Sequence, residues 1–382
     1  MILPRKHQGA DLTIFTEMSA LAKEYDAINL SQGFPDYPID GKIKEFLAEA
    51  TQKDYNQYAP MAGLLFLIHE VINFNSKRAI PIVLNADEVT ITPGATYGIY
   101  CALASILNPG DEVIVLEPSY DSYVPSIEVN GGIAVFVSLD ANYRPDFETI
   151  QKAITPKTKA IIVNSPHNPC GTVWTAQEWE QLWELIKDKQ IIVIADEVYD
   201  QLCYHDTEFT SVFHHEGLRE RSFAIFSFGK MFHLTGWKVG YVLAPEAITK
   251  AFRHVHQFLC FSVNTPAQWA LAKYLEHFDR DANLAMMQQK RDFFLQQFND
   301  LPFEFAEPSQ GSYFQVAKFN NSMQQTDKEF TIWLTREKGV AVIPMSAFYH
   351  NQLDTGSVRF CFAKKEDTIL KAAERLRNNL IV

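Results

Sequence analysis

Seven short apolar runs fill the middle of this chain, separated by helical or turn patterns. They are EVTIT (88–92), EVIVLE (112–117), IAVFVSL (133–139), AIIVNS (160–165), IIVIAD (191–196), FAIFSF (223–228) and VGYVLA (239–244). Inside each run the apolar residues are continuous rather than alternating, the pattern of a strand covered on both faces. Helix candidates occupy several of the gaps. ATYGIYCALASIL follows the first run, and TAQEWEQLWELIKD precedes IIVIAD. Strand–helix–strand alternation of this kind predicts an α/β fold, with a seven-stranded, mostly parallel sheet sandwiched by helices.

After about residue 282 the pattern changes. A helical stretch, NLAMMQQKRDFFLQQFND, leads into FEFAE and GSYFQVA. A second helix candidate, TDKEFTIWLTREKG, is followed by VAVIPM, SVRFCFA and a last helix, KEDTILKAAERLRNN. This predicts a smaller α+β unit. The first 40 residues hold one helix candidate and the loop NLSQGFPDYP, expected to pack on that unit. For 382 residues, length suggests two or three domains. The division expected is a large domain over 40–282 and a small one built from 1–39 and 283–382.

Charge and cysteines narrow the function classes. With 46 acidic and 34 basic residues the net charge is −12. A protein that coats nucleic acid or an anionic membrane needs the opposite excess. The 47% hydrophobic and 13% aromatic content rules out intrinsic disorder. Five cysteines, at 101, 170, 203, 260 and 361, are widely spaced and form no CxxC or Cys/His pattern. They read as reduced thiols of a cytoplasmic protein, and no metal site is expected. MILPRKHQGADLTIF has no apolar core of a signal peptide, and no run of 18 apolar residues suggests a membrane span.

In an open α/β sheet ligands bind beyond the carboxyl ends of the strands. The first strand runs into Thr92-Pro93-Gly94-Ala95-Thr96 and then a helix. Free N–H groups and the positive dipole end there suit a phosphate, although the same turn suits a plain strand-to-helix connection. The fourth strand ends in Asn164-Ser165-Pro166-His167-Asn168-Pro169-Cys170-Gly171, a stiff loop that either fixes two amides for binding or caps its own turn. The fifth ends in Asp196-Glu197-Val198-Tyr199, and a carboxylate leaving a buried strand needs a partner. The sixth ends in Ser227-Phe228-Gly229-Lys230, with Lys238 eight residues on. A lone lysine is usually a solvated surface amine. Flanked by Phe228, Met231 and Phe232, Lys230 is placed for desolvation, which lowers an amine's pKa and makes it nucleophilic. Taken together, a nucleophilic lysine, a phosphate turn, a strand-end acid and nearby aromatics are what pyridoxal phosphate requires.

The chain resembles the fold type I, pyridoxal-phosphate-dependent class I/II aminotransferases. It looks most like the branch of kynurenine/glutamine transaminases and bacterial methionine aminotransferases. The resemblance runs through NLSQGFPDYP, NQYAPMAG, PGATYG, EPSYDSY, NSPHNPCGTVW, ADEVYD, SFGKMFHLTGWKVGY, FSVNTPAQ and VRFCFAKKE, in order. It implies that Lys230 is the Schiff-base lysine and acid–base catalyst and that Asp196 pairs with the pyridinium nitrogen. Tyr199 and Asn168 would bind the ring hydroxyl, and Tyr120 would stack on the ring. Ala95, Thr96, Ser227 and Lys238 would hold the phosphate. Many class I enzymes have arginine at the position of Lys238, and the branch named here commonly has lysine. Tyr58 would reach the phosphate of a neighbouring subunit, which implies a homodimer with composite sites. Arg359 would grip the substrate carboxylate, Asn168 would also face the substrate, and Gly33 would close over it.

The reaction implied is ping-pong transamination between amino acids and 2-oxo acids. Phe15, Tyr37, Tyr58, Tyr120 and Phe261-Ser262-Val263-Asn264 are the expected pocket walls. Neutral or apolar, they suggest methionine, aromatic, glutamine or kynurenine-like substrates rather than aspartate. A cysteine-S-conjugate β-lyase is the alternative on the same site. A transcription regulator with an aminotransferase-like sensor domain is disfavoured by the acidic charge and by family segments that start near residue 11.

Overall fold

A computed structural model describes residues 7, 12–204, 207–305, 307–320 and 324–380. Near the N-terminus lie a helix, Ile14–Glu24, and a two-residue strand, β1 (Ile28–Asn29). The central sheet follows: β2 (Val89–Thr92), β3 (Glu112–Glu117), β4 (Ile133–Ser138), β5 (Thr158–Asn164), β6 (Ile192–Asp196), β7 (Ser222–Ser227) and β8 (Gly240–Leu243). These are the seven runs expected from the sequence. Their order in space is β2-β8-β7-β6-β5-β3-β4, and β8 alone runs antiparallel to its neighbours. Apolar clusters cover both faces, one built on Ile91, Val163 and Phe226 and the other on Ile99, Val115 and Ile225. The interior strands are buried except at Glu112, Lys159, Ile192 and Ser227, which are half-buried. Of the two edge strands β2 is buried throughout, whereas β4 departs from the burial expected of its apolar run, with Ile133 49% exposed.

Local signals set the flanking helices. Thr175 with Glu178, and Thr326 with Glu329, form capping boxes at the starts of Ala176–Ile186 and Asp327–Lys338.

The C-terminal part adds β9 (Phe303–Phe305), β10 (Phe314–Phe319), β11 (Val340–Ala341), β12 (Ile343–Pro344) and β13 (Ser357–Cys361). A four-stranded antiparallel sheet runs β12-β13-β10-β9. The N-terminal segment joins this part, since β1 pairs in parallel with β11 through Ile28↔Val340 and Asn29↔Ala341. Met18 and Ala22 pack with Val316, Ile343 and Met345. Helix Arg280–Phe298 buries Met287, Phe294 and Phe298 against Phe360 and Leu376. Among the described residues no helix is long and apolar enough to cross a membrane.

Candidate active site

The sheet places its chemistry at one edge. The chain makes β3, steps outward to β4, and then returns through β5, β6 and β7 on the other side of β3. Where winding direction reverses, the crossovers diverge and leave a crevice beyond the carboxyl ends. A cavity of about 690 Å³ lies there. It is lined by Gly33, Ala95, Thr96, Tyr120, Asn168, Asp196, Tyr199, Ser227, Lys230, Lys238 and Arg359. The structure thus brings together every site residue expected from the sequence except Tyr58, which is 83% exposed and lies against Phe261.

Asp196 ends β6 and is in register with Asn164 of β5. It is buried, and burial pushes its carboxyl up to about 6. Tyr123 donates to its Oδ2 at 2.6 Å, which favours the ionised form. Neighbouring Glu197 points the other way, as successive strand residues do, and accepts from Ser211 Oγ at 2.7 Å and Val212 N at 2.8 Å. One acid therefore faces the cavity while the other anchors the strand end from behind. Asn164 proves to be scaffold: its amide donates to Asp196 O at 2.8 Å and its Oδ1 accepts from Asn168 N at 2.7 Å. Asn164 and Asn168 both line the cavity, and of the two it is Asn168 that meets Arg359.

The phosphate turn is built as its sequence suggested. Gly94 sits at φ +87°, a conformation that costs glycine little, and no side chain caps the helix Ala95–Ile106. Lys238 stands above it: a Cβ on Gly94 would lie 3.6 Å from Lys238 Nζ. Gly240, at the start of β8, pairs with both Thr92 and Ser227, so the antiparallel strand delivers the preceding Lys238 to this edge. An uncapped helix start, a cation and a hydroxyl form an anion cradle.

Lys230 lies in the short helix Phe228–Met231, directly after β7. Its Nζ donates to Gly33 O at 2.9 Å and to Tyr313 Oη at 2.8 Å. Burial lowers its amine to about 8, so a substantial share is neutral near physiological pH. Arg359, on β13, is 1% exposed. Nη1 donates to Asn168 Oδ1 at 2.7 Å and Nη2 to Ser31 O at 2.8 Å. The guanidinium lies 3.9 Å from the Phe314 ring centroid, with Phe348 and Phe15 further out. Burial lowers its pKa to about 10, which leaves it charged. Its Nε is buried without a partner among the described residues, a donor left for an incoming acceptor.

Two expected walls are elsewhere. Tyr37 does not line the cavity. Its hydroxyl meets Met287 Sδ at 3.3 Å and its ring carries Lys290 Nζ at 4.6 Å, so it packs on the C-terminal unit. Phe34, three residues earlier in the same loop, lines the cavity instead. Phe261 is 52% exposed, Val263 is in the core and Asn264 caps the helix Thr265–Leu275. Sequence reasoning missed Tyr123, Tyr313 and Phe314. Tyr123 lies in the EPSYDSY motif and was within reach, whereas nothing local marks Tyr313 or Phe314.

The residues present fit pyridoxal phosphate: an anion cradle, a buried acid able to pair with a ring cation, and an amine of lowered pKa face one cavity. The model of the family described as aminotransferase class I and II matches residues 25–376. This chain is a class I/II aminotransferase. That family depends on pyridoxal phosphate. A methionine aminotransferase of Escherichia coli (strain K12) is 44% identical over 374 residues, covering 96% of this chain and 95% of the relative. Kynurenine–oxoglutarate transaminase 1 of Mus musculus is 33% identical over 410 residues, covering 97% and 96%. A crystal structure from Escherichia coli, described as identifying a methionine aminotransferase function, superposes with a TM-score of 0.95 at 42% identity, covering 99% of this chain and 100% of that one. The aminotransferase fold is therefore the pyridoxal-phosphate-dependent transferase fold, and the enzyme is a transaminase.

Proposed function

We propose that this aminotransferase moves the α-amino group of a neutral amino acid to a 2-oxo acid by a ping-pong sequence. Methionine, aromatic, glutamine or kynurenine-like donors suit it. One observation carries the substrate class. Among the described lining residues the cations are Lys230, Lys238 and Arg359, and the first two face the cofactor region. That leaves a single guanidinium for the α-carboxylate and none for a second one. Phe15, Phe34, Ile99 and Phe314 supply apolar wall for the side chain.

Each side chain then has one task. Ala95, Thr96, Ser227 and Lys238 hold the phosphate, and Tyr120 stacks on the ring. Asp196 keeps the ring nitrogen protonated, and Tyr123 holds Asp196 ionised. Tyr199 and Asn168 bind the ring hydroxyl. Pyridoxal phosphate, when bound, supplies the electron sink for breaking the substrate's Cα–H bond. Lys230 Nζ carries that proton, and an amine near pKa 8 can both take and return it. Arg359 orients the carboxylate through its guanidinium, whose Nε is the donor without a partner, and Asn168 Oδ1 holds Nη1 and so sets the guanidinium plane.

Three further readings go with this. The assembly is a homodimer in which Tyr58 reaches the partner's phosphate, supported by the exposed apolar face of Tyr58, Phe258, Leu259 and Phe261. The chain divides into 40–282 and 1–39 with 283–382, helix Arg280–Phe298 carrying it across. The five free cysteines suit a cytoplasmic enzyme. The deciding experiment adds single amino acids to the cofactor-loaded protein and follows its absorbance near about 420 nm. Methionine should bleach it and aspartate should not. Equal bleaching by aspartate refutes the neutral-substrate reading. Pyruvate released from a cysteine conjugate without a 2-oxo acid acceptor would assign β-elimination instead.

A further inference from the structure

The loop Ser31–Phe34 covers one wall of the cavity and is held by its backbone carbonyls. Arg359 Nη2 donates to Ser31 O at 2.8 Å. Lys364 Nζ donates to Gln32 O at 3.3 Å and to Phe34 O at 2.8 Å. Lys230 Nζ donates to Gly33 O at 2.9 Å. Four successive carbonyls thus receive three cationic side chains. Tyr313 Oη completes the set: it donates to Gly33 O at 2.5 Å and accepts from Lys230 Nζ at 2.8 Å. Gly33 is tightly seated, since a Cβ there would lie 2.8 Å from Phe314 Cζ. Tyr313 is fully buried, and desolvation keeps its phenol protonated, so it serves as a neutral donor and acceptor.

These cations differ in one respect. Lys364 lies off the cavity lining, whereas Arg359 and Lys230 line it and are the groups that substrate and cofactor re-partner. We propose that Gly33 O and Tyr313 Oη form the dock of the Lys230 amine whenever that amine is not bonded to the cofactor, and that docking fastens the loop over the substrate. The inference rests on Lys230 being the cofactor-bonded lysine. Tyr313 is then a positioning residue, holding the freed amine beside the reacting carbon while the same contact shuts the loop. The loop is closed most firmly when the amine is free, which is when water must be kept out.

The test uses the cofactor-free protein first, so that the dock is measured apart from turnover. Amide hydrogen exchange of residues 31–36 is followed by mass spectrometry in the parent, Tyr313→Phe, Lys230→Met and the double variant. Phenylalanine keeps the ring packing and removes only the hydroxyl. Each single change should speed exchange about three- to tenfold, the worth of one hydrogen bond. The double variant should be faster than either single one, because it alone leaves Gly33 O without either donor. Unchanged exchange in Lys230→Met, or a double variant no faster than the single ones, overturns the dock. In the loaded enzyme, Tyr313→Phe should keep the cofactor absorbance and KM within about twofold while kcat falls about tenfold. An unchanged kcat overturns the positioning role. A parent chain that fails to take up pyridoxal phosphate would refute the role of Lys230 instead, and the exchange cycle would still decide the dock.

Discussion

The two halves of the active site are assembled in different ways. On the sheet side, Gly94, Asp196, Ser227 and Lys230 each lie at the carboxyl end of a buried strand or within a few residues of it, and their positions are set by the sheet register. On the loop side, Gly33, Tyr313 and Arg359 come from opposite ends of the chain and meet through contacts spanning 280 and 328 residues. The first half is fixed by the sheet, as a cradle for the cofactor under the proposed roles would need to be. The second is a set of exchangeable hydrogen bonds between cations and carbonyls, suited to change partners when substrate arrives.

That contrast can be broken or sharpened by substitution. The largest effect belongs to the sheet side: Lys230→Ala should lower kcat by about 10⁴ or more, measured as 2-oxo acid formation, since it removes nucleophile and base together. Near-normal turnover would dissolve the distinction altogether. Arg359→Lys, on the loop side, should cost about 10² in kcat/KM with the cofactor spectrum unchanged, because a point charge cannot replace the two-pronged guanidinium. A lost cofactor spectrum would mean that the halves are one structure. A pH series compares the halves without mutation. The Lys230 amine is lowered from 10.5 to about 8, and in its proposed role the neutral form is the one that bonds to the cofactor. Capture of pyridoxal phosphate by the cofactor-free protein should therefore climb about tenfold per pH unit below pH 8 and level off above it. A climb that continues beyond pH 9 would show an amine that is not desolvated. The smallest effect is expected at Tyr37, which belongs to neither half: Tyr37→Phe should leave kcat/KM within about twofold, since its hydroxyl meets a thioether rather than the cavity.

The same contrast explains what could be read from the chain. Lys230 and Asp196 were legible because each interrupts an apolar run at its end, where a charge has no reason to be unless something meets it. The phosphate turn was legible through Gly94 and the helix that follows. Tyr313 was not, because an aromatic residue at the start of β10 looks like any other core residue until Gly33 is folded onto it. Tyr37 was misread for the same reason. A loop's sequence does not say which of its faces turns inward, and Phe34 took the place assigned to Tyr37. Edge strand β4 likewise looks like an interior strand until the order of strands is known.

The reversed strand β8 has a consequence for how this enzyme can vary. The other sheet-side groups lie at or just beyond the carboxyl ends of their strands. Lys238 alone lies upstream of its strand, in the short turn Thr235–Trp237 and its left-handed end. Its side chain can therefore be exchanged for another cation without rerouting any crossover, and lengthened crossovers can reshape the substrate wall without displacing it. Under the proposed roles, phosphate affinity and substrate choice would thus be separable traits, open to independent adjustment.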